Sequence, residues 1–363
     1  MNKTINILCV YAFVLLFQSC KEQKGCQNLY EMEAVELDSS EPMFEDVLIG
    51  PFYRMEVVDN KVMLTYYISQ GPSSESFQLL DEKTQKEIGH YGEGGYGPDN
   101  FLNPEAAGFS ENKDTLYVVE TVNNYLHKLV MNANTAMYSD DYFSKITFKD
   151  WIRLHKVIRL KNGYYLSLVG AGGKNLFVLL NQNGEIVKSF GEPPIPGTEG
   201  ETPDYFSFNG EIAIHDKGFY FAIQNWAYIV KYDIDENLEP TLVWEKFYDE
   251  PIYGVDNSVV KVRRTTHMAF CGLAITDDYI FTSYSGVEFS ESLKEDYDGN
   301  SMLPLYIVVM KHDGSVIGKI KVKERIADLA ISTDKQYLYC KIYEPEVGII
   351  RIPVKEIIKK CKK

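Results

Sequence analysis

The chain has 363 residues, of which 45% are hydrophobic, 25% charged and 13% aromatic. This composition is that of a globular protein with enough apolar mass for a large core, and it excludes disordered, collagen-like and miniature disulfide-scaffold proteins. Asp and Glu total 52 against 37 Lys and Arg, which gives a formal net charge of −15. Because phosphate binding relies on clustered Lys and Arg, this balance argues against a nucleic acid as partner.

The N-terminus has the pattern of an export signal. Lys3 precedes an apolar run, residues 5–17, that is too short for a permanent membrane span. The run ends in Gln18-Ser19-Cys20, which resembles a bacterial lipobox, in which the cysteine becomes the lipidated first residue. A secretory peptide cut nearby, with Cys20 unmodified, is the alternative, and either would export the protein. We predict a signal peptide over 1–19, a lipidated tether over 20–32 and a location at the outer membrane, reached only through the anchor.

Export would permit disulfide bonds among the remaining cysteines, whose pairing the sequence leaves open. Cys26 and Cys361 lie near the two ends of the chain and could join them. Cys271 and Cys340 each lie inside an apolar run, so we predict that both are reduced core residues. The chain contains no C-x-x-C motif, which argues against thiol redox chemistry and a cysteine-based zinc site.

A repeat of about 55 residues runs through the rest of the chain, marked by polar turns from Asp59-Asn60 to Asp334-Lys335. Each turn is followed by a short run rich in tyrosine and aliphatic residues, and further runs of the same kind follow it. Alternating β-branched and aromatic residues between turn formers indicate strands. The only helical pattern is a short tail over 354–360.

Six units of four antiparallel strands predict an all-β fold, a six-bladed β-propeller spanning residues 33–363. The sixth unit has no fourth strand of its own after Pro353. We therefore predict that an N-terminal strand, either Ala34–Leu37 or Phe44–Ile49, closes the last blade and removes an exposed edge.

One segment resembles a repeat of the NHL type: residues 91–101 (YGEGGYGPDNF), Asn103-Pro104, residues 116–120 (LYVVE) and residues 123–129 (NNYLHKL). The chain as a whole is similar to the TolB-like six-bladed propeller lipoproteins of Bacteroidales. The resemblance implies a propeller fold and a place in the cell envelope. It implies no reaction, because one fold serves many functions.

In such a blade the loops between the second and third strands, and between blades, lie on one face. These loops are the longer ones here, for example residues 191–208 and 248–267. Long loops on a rigid scaffold tend to carry binding residues, so we place the functional surface at this mouth. Guanidinium groups bind carboxylates and indoles stack on sugar or ring faces. The candidate ligand-binding residues are Arg54, Asn123, Asn124, Arg153, His155, Gln224, Asn225, Trp226, Arg263, Arg264 and His267.

The chain contains no G-x-S-x-G, no H-E-x-x-H and no closely spaced pair of histidines, so the sequence does not indicate catalysis. We expect a monomeric binding or scaffold protein of the envelope that recognises a peptide, a glycan or a partner protein. A calcium-dependent hydrolase or a polysaccharide lyase is the alternative. In that case Glu105, Asn209 and Asp328, near the starts of inner strands, would hold the calcium ion. No other cofactor and no other metal site is indicated.

The lipid anchor gives the first testable prediction. Cys20→Ser removes the only thiol that the lipobox offers for acylation. The variant should move from the membrane fraction to the soluble fraction after cell fractionation, whereas Cys26→Ser should stay with the membranes. Retention of the Cys20→Ser protein would contradict the anchor.

Overall fold

The computed structural model describes residues 28–67, 74–96, 100–120, 125–130, 144–147, 153–171, 174–195, 198, 201–250, 252–293 and 302–362. The signal segment, Cys20 and Cys26 lie outside these residues, so the expectations about them stay predictions.

Regular structure in the described residues is almost all β, as the sequence predicts. Two short strands come first, β1 (Val35–Glu36) and β2 (Glu41–Met43). Six sheets then account for most of the described chain, and we number these units 1 to 6. Each has four antiparallel strands, and the fifth unit has β1 as an additional, parallel strand. Unit 1 consists of β3 (Arg54–Val58), β4 (Lys61–Thr65), β5 (Glu75–Asp81) and β6 (Lys86–Glu93). Unit 2 consists of β7 (Pro104–Phe109), β8 (Thr115–Glu120), β9 (Tyr125–Val130) and β10 (Ser144–Thr147). Unit 3 consists of β11 (Arg153–Arg159), β12 (Tyr165–Ala171), β13 (Phe177–Leu180) and β14 (Ile186–Phe190).

Units 4 to 6 follow the same order, and a small extra sheet takes one strand from before unit 4 and two strands from between units 4 and 5 in the chain. The strands of the second half are β15 (Thr202–Pro203), β16 (Gly210–His215), β17 (Gly218–Ile223), β18 (Tyr228–Ile234), β19 (Pro240–Phe247), β20 (Tyr253–Asp256), β21 (Val259–Val262), β22 (Phe270–Ile275), β23 (Tyr279–Tyr284), β24 (Tyr306–Lys311), β25 (Val316–Lys321), β26 (Ile326–Ile331), β27 (Tyr337–Ile342) and β28 (Gly348–Pro353). Unit 4 is β16 to β19, unit 5 is β22 to β25, and unit 6 is β26 to β28 with β2; β15, β21 and β20 form the extra sheet.

The second strand of each unit is buried on both faces, and β17 shows why its sequence is continuously apolar. Phe219 and Phe221 pack in a cluster with unit 3, whereas Tyr220 and Ala222 pack in a cluster with unit 5. Successive side chains of a strand point to opposite faces, so a strand covered on both sides needs apolar residues at every position.

An apolar cluster of this kind lies between every two units that follow one another. Unit 6 packs on unit 1 in the same way, through Tyr339 and Ile349 against Met55 and Leu64. The first strands of the units also contact one another in turn: β3 with β26, β26 with β22, β22 with β16, β16 with β11, and β11 with β7. β7 contacts β4 of unit 1, so within the described residues the series returns to its start.

An N-terminal strand completes unit 6, as predicted, but both predicted ranges are wrong. The pairing strand is β2, whose Glu41, Pro42 and Met43 lie opposite Arg351, Ile350 and Ile349 of β28. The strand ends at Met43 because Phe44 has a φ of 59° and donates its backbone N–H to the Gln85 side chain. The earlier segment contributes β1, which pairs in parallel with β25 of unit 5 instead.

The N-terminal residues before β1 are fixed to units 4 and 5. Leu29 is fully buried and its backbone N–H donates to the Tyr248 carbonyl at 3.1 Å. The Lys319 ammonium donates to the carbonyls of Leu29 and Met32 at 2.9 and 3.2 Å. At least residues 29–32 of the segment assigned to the tether therefore pack on the β structure.

Tyr91-Gly92-Glu93 in unit 1 and Phe190-Gly191-Glu192 in unit 3 are equivalent aromatic-Gly-Glu triplets at the ends of the fourth strands. Gly92 and Gly191 have φ values of 71° and 75°, and a Cβ at either would come within 2.9 or 2.6 Å of Phe77 or Phe177. Glycine is therefore required twice over, by its backbone conformation and by the aromatic ring packed against it.

Cys271, Cys340 and Cys361 are free thiols, which confirms the prediction for the first two. Burial raises the pKa of the Cys271 thiol to about 12, so the thiol stays protonated and unreactive at neutral pH. The tail forms helix α1 (Val354–Cys361), and none of the described helices has both the length and the apolarity to cross a bilayer.

The closure of unit 6 can be tested at Met43, which is 4% exposed in the cluster between units 6 and 1. Met43→Ala removes buried apolar atoms and should lower the free energy of unfolding by roughly 2 to 5 kcal/mol. Pro42→Ala, on the exposed face of the same strand, is the matched control and should change it by less than about 0.5 kcal/mol. Urea denaturation measures both, and equal stability of the two variants would mean that β2 does not close the sheet.

Candidate functional site

The first strands of the units bring a cluster of charged side chains to the centre of the molecule. We call it the channel cluster, and its members are Arg54, Glu56, Glu105, His155, Lys156, Glu211 and Asp328. They come from β3, β7, β11, β16 and β26, near the strand ends that follow the long loops.

β-Bulges help to aim these side chains. The inner strands β7, β11, β22 and β26 each skip one residue in their pairing register close to the cluster. At the bulge in β11, Lys156 has a φ of 50° and its backbone N–H donates to Glu105 at 3.1 Å instead of joining the ladder. A bulge bends the strand and redirects one side chain, which here directs Lys156 to Glu211.

The cluster contains more carboxylates than cations, and the pKa values reflect this. Burial by itself would lower the pKa of Arg54, but Glu56, Glu211, Glu105 and Asp328 raise it above its usual value. Burial raises the pKa of Glu56 to about 7, against a weaker opposing effect of Arg54, whose Nε lies 3.8 Å from the carboxylate. Burial and the charge of Glu211 raise the pKa of Asp328 to about 6.

Glu211 behaves in the opposite way. Burial would raise its pKa, but Lys156 and Arg54 together lower it, so Glu211 stays ionised. At neutral pH the cluster therefore holds Arg54, Lys156 and ionised Glu211, and Glu56 lies near its titration midpoint. Because these side chains interact strongly, the protonation of each one depends on the charges of the others, and the cluster titrates as a unit.

A chain of polar contacts extends from the cluster across units 2 to 5. His155 Nδ1 lies 3.7 Å from Glu105 Oε1, and His155 Nε2 lies 3.1 Å from Asn209 Oδ1. Asn209 Nδ2 donates to Gln224 Oε1 at 3.3 Å, and Gln224 Nε2 lies 3.9 Å from Cys271 Sγ. Burial lowers the pKa of His155, so its imidazole is neutral at pH 7.

Glu105, Asn209 and Asp328, the predicted calcium ligands, are not arranged to coordinate a calcium ion. The His155 ring contacts both Glu105 and Asn209 and so occupies the space between them. Both carboxylate oxygens of Asp328 accept backbone N–H groups, from Met55 at 3.0 Å and Leu329 at 2.8 Å. Lys156 already pairs with Glu211, so this neighbouring carboxylate is not free to coordinate calcium either. Within the described residues no three His, Cys, Asp or Glu side chains are grouped as metal ligands.

The other predicted binding residues lie in three kinds of environment. Asn225 and Trp226 hold the 205–208 segment: the Asn225 amide donates to the Phe206 carbonyl, and the fully buried indole donates to Ser207 at 3.0 Å. His267 is 3.0 Å from Asp249 and stacks on Tyr30. Arg263 and Arg264 are exposed. Asn123, Asn124 and the side chain of Arg153 lie outside the part of the chain that the structure describes.

The long loop 248–267 contains a β-hairpin that the sequence analysis missed. β20 and β21 pair from Tyr253 with Val262 to Asp256 with Val259, and the turn residues Asn257 and Ser258 have φ values of 48° and 61°. Both positive φ values are typical of a two-residue type I′ turn. The signal was present, since Asn-Ser separates two short β-branched runs.

The edge of this hairpin formed by β21 is bound to the rest of the fold. Val260 of β21 is fully buried, and its carbonyl accepts the Asp204 N–H at 3.0 Å. The Val262 N–H donates to Ser207 Oγ at 2.9 Å. β20 is the edge strand of the extra sheet among the described residues, and Ile252, Tyr253 and Val255 are 52%, 41% and 47% exposed.

No protein-family model matches the chain, and no curated protein matches it in sequence. Its structure is similar to a Bacteroides fragilis protein named "Putative exported protein", with a TM-score of 0.56 and 11% identity over 88% of this chain and 94% of that one. A luciferin-regenerating enzyme gives a TM-score of 0.51 and 11% identity over 86% and 94%. The β-propeller domain of Myceliophteria thermophila Cps50 (Swd1) gives 0.47 and 9% over 83% of each chain.

At these identities the likeness concerns the fold alone. The four-stranded sheets, and the contacts that join their first strands in a series that returns to its start, are those of the class of β-propellers.

The raised pKa of Glu56 predicts a pH-dependent cost to stability. In the unfolded chain this carboxyl ionises near 4.5, and in the folded protein near 7. The folded state therefore holds the proton longer, and stability falls as pH rises between these values. Glu56→Gln removes that cost. From about pH 4 to pH 8, the free energy of unfolding should therefore fall further in the parent protein than in Glu56→Gln, and the two falls should differ by on the order of 3 kcal/mol.

Urea denaturation at several pH values measures the difference. Glu111→Gln, on an exposed turn, is the control and should follow the parent protein. Parallel curves for the parent protein and Glu56→Gln would show that the Glu56 carboxyl is not buried as described.

Proposed function

We propose that this protein is an exported, lipid-anchored six-bladed β-propeller that binds an extended segment of a partner protein at its long-loop face. The blade count is supported by the six four-stranded units and by the packing of the last unit on the first. Export and anchoring at the outer membrane are supported by the pattern of residues 1–20. The name of a structural neighbour, "Putative exported protein", agrees with export.

The binding role is inferred from the backbone groups of β20 that point away from β21. Val255 lies opposite Val260, and Val260 directs its carbonyl away from β20, to Asp204. In an antiparallel pair, two residues opposite each other either exchange both hydrogen bonds or direct both away. Val255 therefore directs its N–H and C=O outward, where an added strand would meet them.

The surroundings of this edge suit a peptide with apolar and acidic residues. The side chains of Ile252 and Val255 offer exposed apolar surface, and such surface next to a free strand edge favours addition of a strand. Arg263 lies against Gly254 of the same hairpin, where a Cβ would come within 2.4 Å of its guanidinium. Arg263 and Arg264 would bind carboxylates of the segment, because guanidinium groups pair with them in a bidentate way.

The test uses a displayed library of random linear peptides panned on the purified protein. Val255→Pro removes the outward N–H but leaves the bonds between β20 and β21, and Val255→Thr keeps the N–H as the matched control. Peptides selected on the parent protein should bind Val255→Thr within about twofold and Val255→Pro at least about tenfold more weakly, since they lose a backbone hydrogen bond and the fit of the strand.

Peptides that bind all three proteins equally, or failure to select any peptide, would contradict strand addition. A glycan array run in parallel addresses the other ligand class. Binding of glycans together with indifference to Val255→Pro would replace the peptide with a carbohydrate ligand.

A further inference from the structure

A cavity of about 420 Å³ extends from the channel cluster to the face that carries the short turns within each unit, between β3, β7, β16, β22 and β26. Its volume is within the usual range for small-molecule sites. It lies at the opposite end of the inner strands from the β20–β21 hairpin.

The wall of the cavity is mostly aliphatic, its inner end is charged, and Ser110, Glu111 and Lys113 lie at its outer rim, where Lys113 pairs with Asp59. Val57, Ile214, Ile275 and Ile331 line the wall, and the small side chains of Ala213 and Ala274 leave the space open. Arg54, Glu56, Glu211 and Asp328 lie at the inner end. Three carboxylates therefore face this space beside one guanidinium.

One of these carboxylates has an unused acceptor. Glu56 Oε2 is buried and has no hydrogen-bond partner among the described residues, whereas the rest of the Glu56 side chain is 21% exposed and borders the cavity. Its other oxygen is only loosely paired, 3.8 Å from Arg54 Nε. A buried acceptor without a donor costs free energy, and a ligand that brings a donor recovers that cost.

We propose that this cavity binds a small amphipathic amine, with its ammonium group at Glu56 and its apolar part along the wall of aliphatic side chains. The ammonium supplies the missing donors and offsets the excess of carboxylates. A ligand with a carboxylate head would meet Glu56, Glu211 and Asp328 at close range, which disfavours it. A neutral alcohol would fill the same apolar space without the gain in charge pairing.

Binding of an ammonium should be coupled to the loss of a proton. The charged groups around Glu56 are Arg54 on its own strand, Asp328 from β26, Glu105 from β7 and, near Arg54, Glu211 from β16. The pKa of Glu56 is raised to about 7, so the carboxyl is partly protonated at neutral pH. Affinity for the amine should therefore rise with pH between about 6 and 8, where an alkylamine with a pKa of about 10 stays charged.

Calorimetric titration with three probes of one chain length tests the proposal: hexylamine, hexanol and hexanoate. We expect hexylamine to bind at least about tenfold more tightly than hexanol, and hexanoate to bind most weakly. Glu56→Gln should remove the preference for hexylamine over hexanol, whereas Glu111→Gln at the exposed rim should leave it unchanged. Ala213→Leu narrows the cavity and should weaken hexylamine and hexanol alike.

Thermal melting first establishes that each variant folds. If Glu56→Gln does not fold, the proposal is tested by the binding of hexylamine and hexanol to Ala213→Leu and by the pH dependence of hexylamine binding to the parent protein. The proposal is overturned if hexylamine does not bind, if hexanoate binds as tightly, or if hexylamine affinity is the same at pH 6 and pH 8. These results are independent of the proposed peptide site, since the cavity lies away from the hairpin. Val255→Pro should therefore leave hexylamine binding unchanged.

Discussion

The apolar side chains of each four-stranded unit point alternately to two neighbouring units, as Phe219 and Tyr220 do in β17. A sheet that is covered on both faces needs a neighbour on each side. A linear row of such sheets would leave two apolar faces exposed, at unit 1 and at unit 6. Packing unit 6 on unit 1 removes both, and β2 then covers the remaining edge of β28. Covering every sheet on both faces is thus the constraint on which the rest of the structure depends.

The same constraint creates the channel cluster. With both faces packed, only the edges of the first strands face the centre, and the side chains near their ends have no apolar neighbour to cover them. Buried charges are tolerated there because Arg54, Lys156 and the carboxylates compensate one another. The cations do not fully compensate the carboxylates, since the pKa values of Glu56 and Asp328 remain raised. This surplus of carboxylates makes one end of the channel receptive to a cation.

The sequence was enough to predict the all-β class and the four-stranded units, because strand and turn patterns are local. It also indicated that the N-terminus closes the last sheet, but Met43 could not be singled out, since the end of β2 depends on a contact between Phe44 and the distant Gln85. Arg54 and His155, which the sequence suggested as ligand-binding residues, lie in the channel cluster, and a bulge in β11 redirects Lys156 next to His155. Glu56, Lys156 and Glu211 were missed because an acidic or basic residue in a strand looks solvent-exposed until six strands converge. The hairpin was missed although its Asn-Ser turn is visible in the sequence.

The hairpin and the channel are joined by a short path of contacts. Asp204 and Ser207 hold β21, and Tyr205 between them places its hydroxyl 3.0 Å from His155 Nε2. His155 in turn contacts Glu105. A strand added to β20 leaves these bonds intact unless it shifts β21, because β21 uses its other edge to hold the 204–207 segment. The packing of the six units on one another supplies the apolar core, and β21 holds the hairpin to that core through the 204–207 segment. The proposed binding edge at Val255 of β20 therefore lies outside the contacts between the units, so a segment could bind there without disturbing the core.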